Sequence, residues 1–263
     1  MKRKSKKSEE KTYEIDSDLV LDVQDLRKTY IMGKIKVPAL RGINLKVKKG
    51  EFVAILGPSG AGKTTLINCL GALDFPDSGK IIYNMNHDGR GQNITEMTNQ
   101  EHKEMRLNRI GLIFQFYNLF PVLTAYENVE LPMLIAKKPE LKREQRVKAM
   151  LKIVGLEERM EHFPTQMSGG EQQRVTVARS MVNAPLIILA DEPTGELDTE
   201  TTINIIKIFL KIKQVGQSIL MATHNIRIAE AADRVLNLKD GKIISERKGG
   251  KDIDKIFNLD KEE

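Results

Sequence analysis

The sequence predicts an α/β protein with a mostly parallel core sheet, an antiparallel β subdomain and an inserted helical subdomain. Three observations carry that prediction. Residues 52–56 (FVAIL), 186–190 (LIILA) and 218–222 (SILMA) are continuous apolar runs bounded by polar loops, as strands buried on both faces of a parallel sheet require. Helical patterns lie between these runs, TTLINCLGAL at 64–73 and TETTINIIKIFLKIKQV at 199–215. The stretch 116–167 has no convincing strand and two further helical patterns, AYENVELPMLIAKK and KREQRVKAMLKIVG.

Taken in order, the chain starts with a basic tail. Residues 1–11 hold six Lys or Arg against two Glu, a net +4 of the chain's formal +6. A nearly neutral body remains, so no nucleic-acid partner is expected. Residues 1–16 are expected to be disordered, foremost a solubilising tail, with weak attraction to an anionic lipid surface as the alternative. LVLDVQDLRKTY (19–30) alternates apolar and polar residues and reads as a half-buried strand. VPALRGINLKVKKGE (37–51) continues as short strands, with Lys48–Glu51 a hairpin turn.

Cys69 is the single cysteine, on an apolar helix face with Leu66 and Leu70, and is expected in the core. Residues 84–104 are polar and glycine-containing, an exposed loop leading into a short helix. In the 199–215 pattern Ile203, Ile206 and Leu210 recur at helical spacing, and Gly216 marks the stop. The charged residues 251–263 read as a frayed tail. The expected main domain is therefore 17–250, with its helical insertion at about 116–167. No apolar run reaches the roughly 18–20 residues of a membrane-spanning helix, and no apolar stretch follows the basic start. The expected location is the cytoplasm.

GPSGAGKTT (57–65) follows the strand FVAIL and opens a helix, the context that a P-loop demands. Gly57, Pro58, Ser59, Gly60, Ala61 and Gly62 form a loop whose amides can wrap a phosphate. Lys63 reaches the β- and γ-phosphates of ATP, Thr64 offers a hydroxyl to Mg²⁺, and Thr65 bonds the α-phosphate side. In LIILADEPT (186–194), Asp191 falls at the carboxyl edge of a buried strand, where open α/β sheets bind ligands, and is the expected Mg²⁺ acid. Glu192 beside it can orient or deprotonate the attacking water. His224 in ATHN (222–225) sits at the same edge and can contact the γ-phosphate or hold the water.

MSGGEQQR (167–174) sets Ser168, Gly169 and Gly170 before a helix. Glycine costs about 1 kcal/mol relative to alanine inside a helix, so the pair suggests a close backbone approach. The expected visitor is phosphate. A helix N-terminus with a serine hydroxyl suits the far side of a γ-phosphate, and a two-fold dimer would place it over the partner's ATP.

These motifs resemble those of the ABC-type ATPases, the nucleotide-binding subunits of ATP-binding cassette transporters, over about residues 19–248. FQFYNLFPVLTAYENVELPM (114–133) and MSGGEQQRVTVARSMVNAPLIILADEPTGELD (167–198) most resemble the branch serving lipoprotein release, macrolide or peptide export and cell division. The resemblance implies a P-loop NTPase fold and an Mg-dependent ATPase that closes as a head-to-tail homodimer around two ATP. It implies that Tyr30 stacks on adenine and that Gln115 senses Mg²⁺ and the γ-phosphate. It also implies that Ser168 and Gly170 bind the opposite ATP and that Asp198 crosses the dimer interface.

Integral membrane permease subunits are the implied partners, docked on 117–129, with the cassette peripheral on the inner face of the cell membrane and export the implied direction. Two other classes fit less well. A soluble cassette ATPase acting on DNA or ribosomes would carry coiled coils, a zinc module or a second cassette, and a clamp without turnover would not need Glu192. Met167, Glu171, Glu196 and Asn225 depart from the family's commoner Leu, Gln, Asn and Asp.

Overall fold

The structure, a computed structural model, describes residues 12–86 and 88–258. The chain opens with β1 (Tyr13–Glu14), β2 (Leu19–Met32) and β3 (Ile35–Lys48), then β4 (Phe52–Leu56) and α1 (Lys63–Leu70). Next come β5 (Ser78–Asn84), β6 (Arg90–Asn93), α2 (Asn99–Asn108) and β7 (Ile110–Ile113). The helices α3 (Ala125–Ile135), α4 (Glu140–Ile153) and α5 (Gly169–Met181) precede β8 (Ile187–Asp191). α6 (Thr199–Gln214), β9 (Ser218–Thr223), α7 (Ile226–Glu230), β10 (Arg234–Lys239), β11 (Lys242–Lys248) and α8 (Ile253–Asn258) complete the described chain.

Two sheets result, one antiparallel in the order β1-β6-β5-β2-β3 and one in the order β11-β10-β4-β9-β8-β7. The second is parallel from β10 to β7, and only β11 runs against it. Alternation within the apolar runs supplies a separate core on each face. Val53, Ile55, Leu189 and Leu220 pack with α1 and the antiparallel sheet, whereas Phe52, Ala54, Ile188, Ala190 and Met221 pack with α5, α6 and the helical region. Phe52 meets Phe209 of α6 edge-on at 6.3 Å between ring centroids, a geometry worth about 0.5–1.5 kcal/mol beyond burial. Cys69 lies in the first core, and burial pushes its thiol up to about 12.

Several local expectations change. Lys48–Glu51 is not a hairpin turn, because β3 and β4 belong to different sheets. A Gly-containing turn reports that the chain reverses, not which strand it will pair with. β2 is not half-buried at its start: Leu19, Val20, Leu21, Asp22 and Val23 are all buried. The far face is covered by the small cluster of Ile15, Leu19 and Ile82, and Gln24 donates to the Asp22 carboxylate at 2.9 Å.

Residues 84–104 are not a plain exposed loop, since they supply β6 and the buried Ile94 and His102. α6 turns a wider face inward than its spacing suggested. Ile205, Ile206, Ile208, Phe209 and Ile212 are buried, while Ile203 and Leu210 only rim that face.

Both expected tails are shorter than their assigned bounds. Tyr13 and Glu14 pair with β6, and Ile15 is buried. At the other end Ile253 and Ile256 of α8 enter the main core, so two apolar residues at helical spacing outweigh the charged composition around them. The basic segment 1–11 lies outside the described residues. Within 116–167 the described elements are α3, α4 and two short 3₁₀ turns, with no strand.

Candidate active site

The parallel sheet arranges the chemistry along one edge. Strand order β4-β9-β8-β7 and the pairs Leu56↔Thr223, Asp191↔Ala222 and Ile113↔Ala190 bring four carboxyl ends together. From them issue the 57–62 loop, His224, Glu192 and Gln115 in that spatial order. The sequence separates these residues by up to 167 positions; the ladder makes them neighbours.

The loop after β4 is wrapped as its sequence demands. Gly62 holds the cap position of α1 at φ 104° and provides no side-chain cap, so the first amides of α1 are left for a ligand. A Cβ on Gly62 would also lie 2.5 Å from the Ala39 carbonyl oxygen. Pro58, Ser59 and Gly60 form the exposed lip, whereas Gly57 and Ala61 are buried. The Ala61 amide donates to Pro58 O at 3.2 Å, closing the turn.

Lys63 is buried beneath this loop, only 5% exposed. Its ammonium donates to Gly57 O at 2.8 Å and Pro58 O at 3.1 Å, and it pairs with Glu192 Oε1 at 3.1 Å. The other Glu192 oxygen is bound by His224 Nδ1. Both oxygens of the expected base are thus engaged, one by the phosphate-binding cation and one by the edge histidine. Glu192 holds φ 49°, a left-handed conformation that non-glycine residues adopt at a cost of about 1–3 kcal/mol and that concentrates at functional sites. Its amide donates to Ala222 O at 3.0 Å, and its carbonyl accepts from Gly195 N at 3.1 Å.

Asp191 is buried one residue earlier, and its Oδ1 has no hydrogen-bond partner. Burial pushes its carboxyl above the usual carboxylate range and the Glu192 charge adds to this, while the Thr64 hydroxyl bond and Lys63 pull the other way. An orphaned carboxylate oxygen beside a hydroxyl is the donor chemistry that a hard divalent cation takes. Thr64 and Asp191 therefore fit Mg²⁺. Among the described residues no cluster of three or more His, Cys, Asp or Glu forms a metal cage. Gln115 is close by on the β7 edge, where its Nε2 donates to Glu196 Oε1 at 2.9 Å.

Tyr30 stands at the far end of β2. Its hydroxyl donates to Asp74 Oδ2 at 2.6 Å, and the Lys28 ammonium lies 5.1 Å from its ring centroid. Thr65 also lies within hydrogen-bond reach of Tyr30, which ties the expected adenine platform to the phosphate loop.

The Ser-Gly-Gly segment has a local explanation as well as a ligand one. Ser168 caps α5 in a box with Glu171: its hydroxyl accepts from Glu171 N at 3.3 Å, and its amide donates to Glu171 Oε2 at 2.9 Å. Arg159 pairs with the other Glu171 oxygen at 3.3 Å. The Ser168 amide foremost holds the Glu171 carboxyl below its usual range, with Arg159 contributing. A Cβ on Gly169 would lie 2.7 Å from Tyr117 Oη, and one on Gly170 would lie 2.4 Å from Thr201 Cγ2. Side chains of the same chain thus crowd both glycines, so a local packing reason stands beside the expected phosphate. Asp198 caps α6 and accepts from Thr201 N at 2.9 Å and Thr201 Oγ1 at 2.7 Å.

Two buried side chains that the motifs did not single out support the site. Asn128 of α3, fully buried, accepts from Phe120 N at 2.9 Å. It donates to Phe120 O, Leu123 O and Thr124 O, at 3.1, 3.0 and 2.9 Å, and so shapes the loop that exposes Phe116, Phe120 and Val122. Gln173 of α5, also fully buried, donates to Pro193 O at 2.6 Å. A polar residue on the inward face of each helix was the available signal.

A family model described as "ABC transporter" matches residues 40–195. An uncharacterized ABC transporter ATP-binding protein of Thermotoga maritima is 44% identical over 231 residues, covering 88% of this chain and 96% of its own length. The macrolide export ATP-binding/permease protein MacB of Vibrio parahaemolyticus is 42% identical over 88% of this chain. The chain spans only 34% of that relative's length. Among solved structures, the dimeric post-hydrolysis state of the ATP-binding cassette MJ0796 bound to ADP and Pi superimposes with a TM-score of 0.78 at 39% identity. The match covers 87% of this chain and 98% of that one. The edge-strand chemistry and this likeness along most of the chain lead to the same conclusion: the protein belongs to the ABC transporter family, as one of its ATP-hydrolysing cassettes.

Proposed function

We propose that this cassette drives conformational change in separately encoded membrane subunits of an export-type or mechanotransmission complex. In this reading it dimerises head to tail around two MgATP on the inner face of the membrane. The observation that carries the catalytic part is the Lys63–Glu192–His224 cluster at the sheet edge. Phosphate arriving on the 57–62 loop takes the place of the Glu192 carboxylate on Lys63. Glu192 is then free to orient water and accept its proton, while His224 and Lys63 stabilise charge developing on the transferred phosphoryl group. Thr64, Asp191 and Gln115 would hold Mg²⁺, which would supply neutralisation of phosphate charge.

Ser168, Gly169 and Gly170 face the partner's nucleotide, and Asp198 bridges the two sites. The dimeric neighbour supports this arrangement, and a relative that fuses cassette and permease supports a membrane partner. No helix among the described residues is long and apolar enough to cross a membrane. The exposed Phe116, Phe120 and Val122 offer its docking surface.

The test is affinity purification of the tagged protein from mildly solubilised native membranes. Near-stoichiometric recovery of a polytopic membrane protein is expected; recovery of ribosomes or nucleic acid without one would refute the proposal.

A further inference from the structure

A fully buried glutamine is a costly core residue unless its amide is satisfied. Gln173 is 0% exposed, and every polar atom of its side chain is directed to a specific place. Nε2 donates to Pro193 O at 2.6 Å, and Oε1 accepts from Thr176 Oγ1 at 3.2 Å. The single hydrogen of that hydroxyl is shared with Gln173 O at 2.8 Å, so Thr176, just under one turn on, favours the amide orientation that points Nε2 at Pro193.

The recipient matters more than the bond. Pro193 directly follows Glu192, whose left-handed φ of 49° persists only where its surroundings over-determine it. Ala222 O holds Glu192 on its amino side, and Gly195 N holds its carbonyl. Pro193 has no amide hydrogen to give; its carbonyl is held by Gln173.

Helix α5 is capped by Ser168, four residues before Gln172 and five before Gln173. The same helix therefore carries the Ser-Gly-Gly end and, a turn and a half later, the grip on the loop behind Glu192. Gly170 closes against Thr201 of α6, so α5 cannot shift without acting on both sides of the 192–198 loop.

We infer that Gln173 is a positioning residue for ATP hydrolysis: through Pro193 it sets where the Glu192 carboxylate stands and makes that depend on the placement of α5. The inference rests on Glu192 being the residue that activates water.

Gln173→Met keeps the length and removes the donor. Steady-state hydrolysis by the full chain should show kcat reduced about 10- to 100-fold, the usual effect of sub-ångström misplacement. KM for ATP should stay within about twofold, since no phosphate contact is lost. A purely structural role would instead lower the melting temperature and the folded fraction and leave kcat per folded site unchanged.

Gln173→Glu supplies the independent readout and covers the case in which Gln173→Met does not fold. Only the protonated carboxyl can donate to Pro193 O, so this variant should gain activity as pH falls from 8 to 6 relative to wild type. A wild-type kcat in Gln173→Met, or a wild-type pH profile in Gln173→Glu, would overturn the inference. Glu192→Gln assayed alongside separates the two readings. If it hydrolyses ATP normally, the base assignment fails; if it is inactive while the Gln173 variants are normal, only the positioning role fails.

Discussion

Replacing Gly170 by alanine should change stability with a sign set by residue 201. The added Cβ would lie 2.4 Å from Thr201 Cγ2, while Thr201 Cβ and Oγ1 stay at an ordinary 3.6 Å. Overlap of this size in a packed contact costs about 1–3 kcal/mol. Alanine in a helix returns about 1 kcal/mol over glycine. Gly170→Ala alone should therefore lose up to about 2 kcal/mol, or roughly 4–8 °C for a chain of this size. Thr201→Ser removes the clashing methyl and keeps the hydroxyl bonded to Asp198 Oδ2 at 2.7 Å. In that background the same Gly170→Ala should be neutral or stabilising, giving a coupling of about 1–3 kcal/mol in the double-mutant cycle. The assay is urea unfolding of the nucleotide-free monomer, read as a midpoint shift at constant slope. Equal effects of Gly170→Ala in both backgrounds would refute the packing argument and leave the glycine to ligand contact alone.

Glu192→Gln should abolish turnover and also tighten ADP binding about 5- to 30-fold, because a neutral amide competes less for Lys63 than a carboxylate does; calorimetry with ADP on dilute monomer checks this, and unchanged or weaker binding counts against it. Asp191→Asn should inactivate the enzyme yet stabilise the metal-free fold by about 1–2 kcal/mol near neutral pH, since it removes a buried charge. The sign follows from the raised Asp191 pKa: the ionised carboxylate destabilises the fold above that pKa, and the penalty vanishes as pH falls through it. Unfolding of wild type and variant across acid pH should show their difference shrinking on acidification. Asn128→Ala removes four hydrogen bonds to the 120–124 loop, leaving Phe120 N and Leu123 O without their partner while Phe120 O and Thr124 O keep backbone donors; it should cost about 2–4 kcal/mol of stability, with membrane-subunit recovery in the pull-down falling further than the folded fraction.

Much of the site was legible because its chemistry is local. Gly57–Thr65, Asp191–Glu192 and His224 each follow an apolar run, and a parallel sheet sends the residues after such runs to one edge. What the sequence could not supply was pairing. Nothing in KKGE says that β3 and β4 part into different sheets, and alternation in LVLDV gave no sign that Ile15 and Ile82 would cover its outer face. Charge misled at 251–263, where Ile253 and Ile256 decide the packing despite their neighbours. The two glycines at 169–170 were readable as a close approach, but Tyr117 and Thr201, which make it, are set by folding rather than spacing. Gln173 and Asn128 escaped notice because a single polar residue on an apolar helix face looks like an interruption until its partner is known.

The bond between Lys63 and Glu192 also bears on selectivity. A lone ammonium under a ring of helix-start amides would collect any small anion in its surroundings, orthophosphate and sulfate included. Here the protein supplies its own occupant. An incoming anion must displace a tethered carboxylate already at contact distance, and a small anion with few contacts gains little by doing so. A nucleotide bound as proposed, at Tyr30 and along the whole 57–65 turn, would bring enough simultaneous contacts to displace it. On the proposed mode of binding the resting cassette would carry a threshold, favouring a ligand long enough to grip both ends of the cleft over simple ions.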